Sequence, residues 1–234
     1  MYMSNYFLYA IIPMILSLWA QYKVKGTYSK YSQIRTKTGI TGAEAARKML
    51  DAYGLSDVSI ERVSGTLTDH YDPSKRVLRL SEGVYSSNSI AAVGVACHEA
   101  GHAYQHADEY KWLSLRTNIV PLVNFGSMLG PILFMVGLVF SGLLGQFGQT
   151  IAYAGLLIFG ITAVFAVITL PVEFDASNRS KAWIANTGLL YPDEQEGVAA
   201  VLQAASLTYV AAAIQAITTV LYYASFLNRS NRRR

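Results

Sequence analysis

Hydrophobic positions in this chain fall in long runs separated by polar stretches that hold nearly all the charge. A run of about 20 mostly apolar residues is enough to cross a bilayer as a helix, so the runs predict membrane spans. Four stand out. "YFLYAIIPMILSLWAQY" (6–22) carries Tyr6, Tyr9, Trp19 and Tyr22 where aromatics suit the two water interfaces. It has neither a basic flank before it nor a small-residue cleavage signal after it, so an uncleaved anchor is expected. The runs 119–145 and 150–170 predict a hairpin of two spans turning at the uncharged "QFGQ". Gly126, Gly130, Gly137 and Gly155 would let helix backbones approach closely in that hairpin. The fourth run, 207–227, is the weakest: Gln215 and its alanines fit packing against protein as well as against lipid.

The polar stretches 23–116 and 171–206 contain all 15 acidic residues and most of the 19 Lys and Arg. If each apolar run crosses once, both stretches lie on one side and form one domain in two pieces. "TGAEAARKMLDAYG" (41–54) predicts a helix, with Thr41 and Glu44 at capping-box spacing and Gly54 as a stop. "DVSIERV" (57–63) and "KRVLRL" (75–80) predict short strands, with "DHYDP" (69–73) as turn chemistry between them. Ser87, Asn88 and Ser89 offer an N-cap for a helix running through "SIAAVGVACHEAGHAYQHA". The expected fold is mainly α and integral to the membrane, with about four transmembrane helices and a helix-rich α+β domain.

Composition agrees. With 52% hydrophobic and only 15% charged residues, and a mean hydropathy of +0.27, the chain departs from an ordinary soluble domain. Charge adds an orientation. Lys23, Lys25, Lys30, Arg35 and Lys37 follow the first run, and Arg116, Arg179 and Lys181 lie near other span ends. The positive-inside rule therefore puts the polar domain in the cytoplasm, against the opposing pull of Arg229, Arg232, Arg233 and Arg234 in the tail. The lone Cys97 rules out an intrachain disulfide and reads as a small buried residue.

The chemistry lies in "HEAGHAYQH" (98–106). His98 and His102 are four apart, about 40° around a helix, so both imidazoles project from one face. Paired neutral imidazoles suit zinc. Glu99 sits beside that face, placed to act on water as a general base without being a ligand. Gly101, inside a helix, costs about 1 kcal/mol against Ala, which is explained if something approaches the backbone there. A catalytic zinc usually takes three protein ligands. Asp108 is one option, but position 105 is Gln where a glycine would turn the chain back to the metal. The other is Glu173 in "LPVEFDASNRSKAW" (170–183), where Pro171 either opens a helix or breaks the outgoing one.

"VLRLSEGVYSSNSIAAVGVACHEAGHAYQH" followed, after the hairpin, by "LPVEFDAS" resembles the YugP-type neutral zinc metallopeptidases. It resembles more distantly the HtpX/Ste24-type membrane peptidases of the gluzincin group. The resemblance covers nearly the whole chain. It implies a zincin-like domain, one catalytic zinc at His98, His102 and Glu173, and Glu99 as general base. The distant relatives carry ExxxD, whose aspartate supports a zinc-binding histidine; four residues on from Glu173 stands Ser177. Asp175 is the nearest carboxylate, about 160° round a helix from that position. His106 is about 12 Å along the helix from His98, too far to share its metal, which leaves a supporting or structural role. His70, Tyr71 and Arg179 are candidates for stabilising an oxyanion. In the resembling peptidases a strand edge beside the metal helix holds extended substrate, a part open to "KRVLRL", with plain structure as the alternative.

The expected protein is a multi-pass zinc metallopeptidase of the cell membrane that hydrolyses peptide bonds in peptides or membrane proteins. Its partners are the lipid bilayer and that substrate, with no nucleic acid. An amidase acting on a non-protein substrate, or a scaffold with structural zinc, are the rival readings.

Overall fold

A computed structural model describes residues 2–232, with side chains for 9–227. The side chains of Tyr6, Arg229 and Arg232, and all of Arg233 and Arg234, lie outside the described residues. The protein is mainly helical: α1 (Tyr2–Ser32), α2 (Gly42–Ala52), β1 (Ser59–Val63), β2 (His70–Asp72), β3 (Val77–Ser81), α3 (Glu82–Tyr85), α4 (Ile90–Ala107), α5 (Lys111–Leu144), α6 (Gln146–Thr187) and α7 (Pro192–Arg232). Two compact units divide the chain. One holds residues 1–19, 115–170 and 209–234, the other residues 20–114 and 171–208.

Among the described residues, three helices are long and apolar enough to cross a membrane: Lys111–Leu144, Gln146–Thr187 and Pro192–Leu227. The last contains the run expected to be weakest. Its most apolar window is 39% buried within the protein, against 17% and 11% for the other two, as its alanines and Gln215 imply. The run 6–22 lies on α1, which is not among the three; lysines 23, 25 and 30 follow it on the same helix. The hairpin turns on one residue. Gly145, at φ +57, separates α5 from α6, so "QFGQ" opens α6 instead of forming the turn. Nor does Pro171 start or end a helix: α6 runs through it.

The second unit is built around α4. Its N-terminus is fixed by Ser89 Oγ, which accepts from the amide of Ala92 at 3.2 Å. The segment before it is held by Ile90 N–H to the Ile34 carbonyl (2.9 Å) and Thr36 N–H to the Asn88 carbonyl (2.8 Å). α2 forms as its sequence dictates, with a reciprocal Thr41–Glu44 capping box. It packs on α4, burying Ala45, Ala46, Met49 and Leu50 in a core shared with Val93, Ala96 and Ala100. Burial of side chains as large as Met49 and Leu50 contributes about 1.5–3 kcal/mol each.

The sheet has the order β1-β3-β2, with β1 parallel and β2 antiparallel to β3. Residues 70–72, inside the expected turn, therefore form an edge strand. β3 is the central strand, hydrogen-bonded on both sides, so "KRVLRL" has no open edge for a peptide. The edge strand that packs on α4 is β2.

Candidate metal centre

The second unit brings α4 and the C-terminal part of α6 together. They approach closely at Gly101: a Cβ there would meet the Ala176 carbonyl oxygen at 2.7 Å, so only glycine lets the helices lie this near. This contact sets Glu173 against the histidine face. His98 Nε2 is 3.3 Å from Glu173 Oε2, and His102 Nε2 is 3.5 Å from the same oxygen. One donor atom from each residue lies within 4.8 Å of the others. The three side chains are 13%, 11% and 4% exposed, so water does little to screen them.

The donor set fits a metal ion. Around tetrahedral zinc with ligand bonds of about 2.0–2.2 Å, neighbouring donor atoms lie about 3.3–3.5 Å apart. The two nitrogen–oxygen distances match that edge, and both exceed the usual reach of an N–H···O hydrogen bond, about 3.2 Å. Two imidazoles and a carboxylate leave the fourth position open to water or substrate.

Electrostatics follow from the same packing. Burial raises the pKa of the Glu173 carboxyl, but the polar contact and charge of the adjacent His102 and His98 rings outweigh it and hold Glu173 well below the usual carboxylate range. For His102 burial works against the charged form, yet Glu173 and Glu99 more than offset it and raise the pKa above the ordinary 6.5. Glu99 is partly exposed, and its charge is felt at His102 without its joining the three-residue cluster.

Both histidines are braced from behind. His98 Nδ1 lies 3.1 Å from Ser177 Oγ, so the residue four on from Glu173 still touches a histidine, as a hydroxyl in place of a carboxylate. His102 Nδ1 lies 3.0 Å from Gln105 Oε1. Gln105 Nε2 donates to the Val172 carbonyl and to Asp175 Oδ2, both at 2.8 Å. Asp175 also accepts from Arg179 Nε at 2.6 Å. In the sequence Gln105 reads only as a missing glycine; its place three residues past His102, on the same helix face, is the available signal.

The remaining candidates separate cleanly. α4 continues through Gln105 and ends at Ala107, so Asp108 stands at the helix cap and pairs with Arg179 Nη2 at 2.9 Å instead of joining the cluster. Arg179 is held by both aspartates and lies over the Tyr104 ring, 4.6 Å from its centroid. His70 is exposed, with Nδ1 at 2.8 Å from the Thr68 carbonyl. Tyr71, on the edge strand, hydrogen-bonds through its hydroxyl to His106 Nδ1 at 2.9 Å.

Residues 6–228 match the model of a family described as "Putative neutral zinc metallopeptidase". The chain is also 49% identical over 214 residues to the "Putative membrane protease YugP" of Bacillus subtilis (strain 168), covering 91% of this chain and 92% of that protein. No solved structure matches it. With a family match spanning nearly its whole length and a buried His–His–Glu cluster of metal-binding geometry, the chain belongs to the neutral zinc metallopeptidase family.

Proposed function

We propose that the chain is a membrane-embedded zinc endopeptidase that hydrolyses peptide bonds, with His98, His102 and Glu173 holding one zinc ion and Glu99 acting as general base. The observation that carries this reading is the buried three-residue cluster, whose two nitrogen–oxygen distances match the donor edge of a tetrahedral site. When bound, zinc supplies Lewis acidity, lowering the pKa of water to about 7 and drawing electrons from a carbonyl oxygen. Glu99 takes the proton from the attacking water and returns it to the leaving amine. Tyr71, whose hydroxyl is oriented by His106 on α4, is the donor we assign to the developing oxyanion. Extended substrate is expected along β2, the sheet edge that packs against α4.

In this reading α1 also crosses the membrane, giving four spans with the site on the cytoplasmic side. Exposed Ile12, Met14, Ile15 and Leu18 on α1 support the fourth crossing, and the basic residues after it support the orientation. The test is release of cleaved product from casein or a membrane-protein substrate by the purified full chain in detergent. Activity should be abolished by a chelator and restored by zinc. Stoichiometric zinc without cleavage of any peptide bond would reject the endopeptidase and leave the amidase or a structural zinc.

A further inference from the structure

Gln105 is fully buried, and a buried amide is costly unless its hydrogen-bonding capacity is met. Both of its N–H groups are spent, one on the Val172 carbonyl and one on Asp175. A peptide carbonyl only accepts, so turning the amide over would press Gln105 Oε1 against the Val172 oxygen. The amide therefore has one orientation, with Oε1 facing His102 Nδ1 at 3.0 Å. That oxygen also only accepts. Nδ1 must then carry hydrogen, and in the neutral ring the lone pair falls on Nε2, the nitrogen turned toward Glu173.

His98 has no such constraint. Its Nδ1 meets the hydroxyl of Ser177, which donates or accepts as required. The two histidines thus differ: one ring is committed by its surroundings and the other adapts.

We infer that Gln105 is a positioning residue that fixes the tautomer and ring orientation of His102 for metal binding, with Val172 and Asp175 locking the amide in place. Asp175 thereby supports a ligand histidine at one remove, through the amide instead of by direct contact. Arg179, shared between Asp175 and Asp108, holds that carboxylate in turn. The inference rests on the reading of His98, His102 and Glu173 as the zinc ligands.

The experiment measures zinc affinity of the purified full chain by competition with a chromogenic chelator, alongside the visible spectrum of the cobalt-substituted protein. Gln105→Met keeps length and volume but removes the acceptor together with the two donors. It should weaken zinc binding about 10- to 100-fold, the usual effect of losing a partner behind a metal ligand, and should alter the cobalt spectrum. Gln105→Glu, kept protonated by burial beside Asp175, offers His102 Nδ1 an acceptor while its one O–H donates in place of the amide, and should return affinity to within about tenfold of wild type by the same measure. A purely structural role for the amide would lower the thermal stability of the metal-free protein without moving the cobalt spectrum. Should Gln105→Met not fold, Asp175→Ala takes its place, with a loss toward the lower end of that range. An unchanged cobalt spectrum in Gln105→Met, whatever its stability, would overturn the inference while leaving the zinc site standing. A wild-type chain that takes up no zinc would remove both.

Discussion

Replacing Gly101 by alanine tests whether the approach of α6 to α4 sets the metal geometry. The new Cβ would lie 2.7 Å from the Ala176 carbonyl oxygen, and 3.3 Å from its carbonyl carbon and its Cα. All three are backbone atoms, so no side chain can swing aside. Restoring ordinary contact requires α6 to retreat by about 0.7 Å locally. Alanine gains about 1 kcal/mol in helix propensity, while overpacking costs about 1–3 kcal/mol, so global stability should fall by no more than about 2 kcal/mol. Zinc binding should suffer more. Glu173 is three residues from Ala176 on the same helix, and metal–ligand distances tolerate only about ±0.2 Å. Affinity should drop at least about tenfold, comparable to losing a supporting contact. Thermal unfolding of the metal-free protein and chelator competition separate the two effects. A variant more stable than wild type, with unchanged zinc affinity, would refute the claim that this contact positions Glu173.

Glu99→Gln should retain stoichiometric zinc while hydrolysis falls at least about a hundredfold; loss of the metal in that variant would make Glu99 a ligand. Metal analysis of Glu173→Ala should show zinc largely lost, whereas Asp108→Ala, which gives up only its pairing with Arg179, should keep it. Apparent zinc affinity should depend on pH with a definite sign. Because His102 in the metal-free protein holds its proton above the ordinary 6.5, protons compete more strongly as pH falls, so affinity should decline on acidification from a pH already above 6.5; a flat profile between pH 8 and 6 would contradict this. Cysteine placed at Ser56 should react with an impermeant reagent only after cells are opened, and labelling on intact cells would put the domain outside. The native thiol does not interfere, since Cys97 is buried and its pKa is pushed up by that burial.

Local signals gave the elements that local chemistry controls. The Thr41–Glu44 box, the Ser89 cap and the helical face of His98 and His102 each depend on residues within one or two turns, and each was readable from spacing. Contacts across distant parts of the chain were less accessible. A proline normally removes a helical hydrogen bond and ends or kinks a helix, yet α6 continues through Pro171. The strand at 70–72 is short and rich in turn-forming residues, and only its pairing with β3 makes it a strand. Ser177 and Gln105 were conspicuous as departures from familiar motifs. What each does instead depends on a partner 79 or 67 residues away, which no periodicity reports. The cost of Gly101 was legible as a cost, and the Ala176 carbonyl supplies its reason.

The order of the cluster along the chain also places it in time. His98 and His102 leave the ribosome first, and Glu173 follows only after α5 and most of the apolar part of α6 have been made. At about 5–20 residues per second, the gap of about 70 residues lasts on the order of 4–14 seconds. During that interval the nascent chain carries two members of the cluster without the third, and a product truncated anywhere before residue 173 never acquires it. Synthesis itself therefore delays the appearance of a complete cluster until the hairpin has been made.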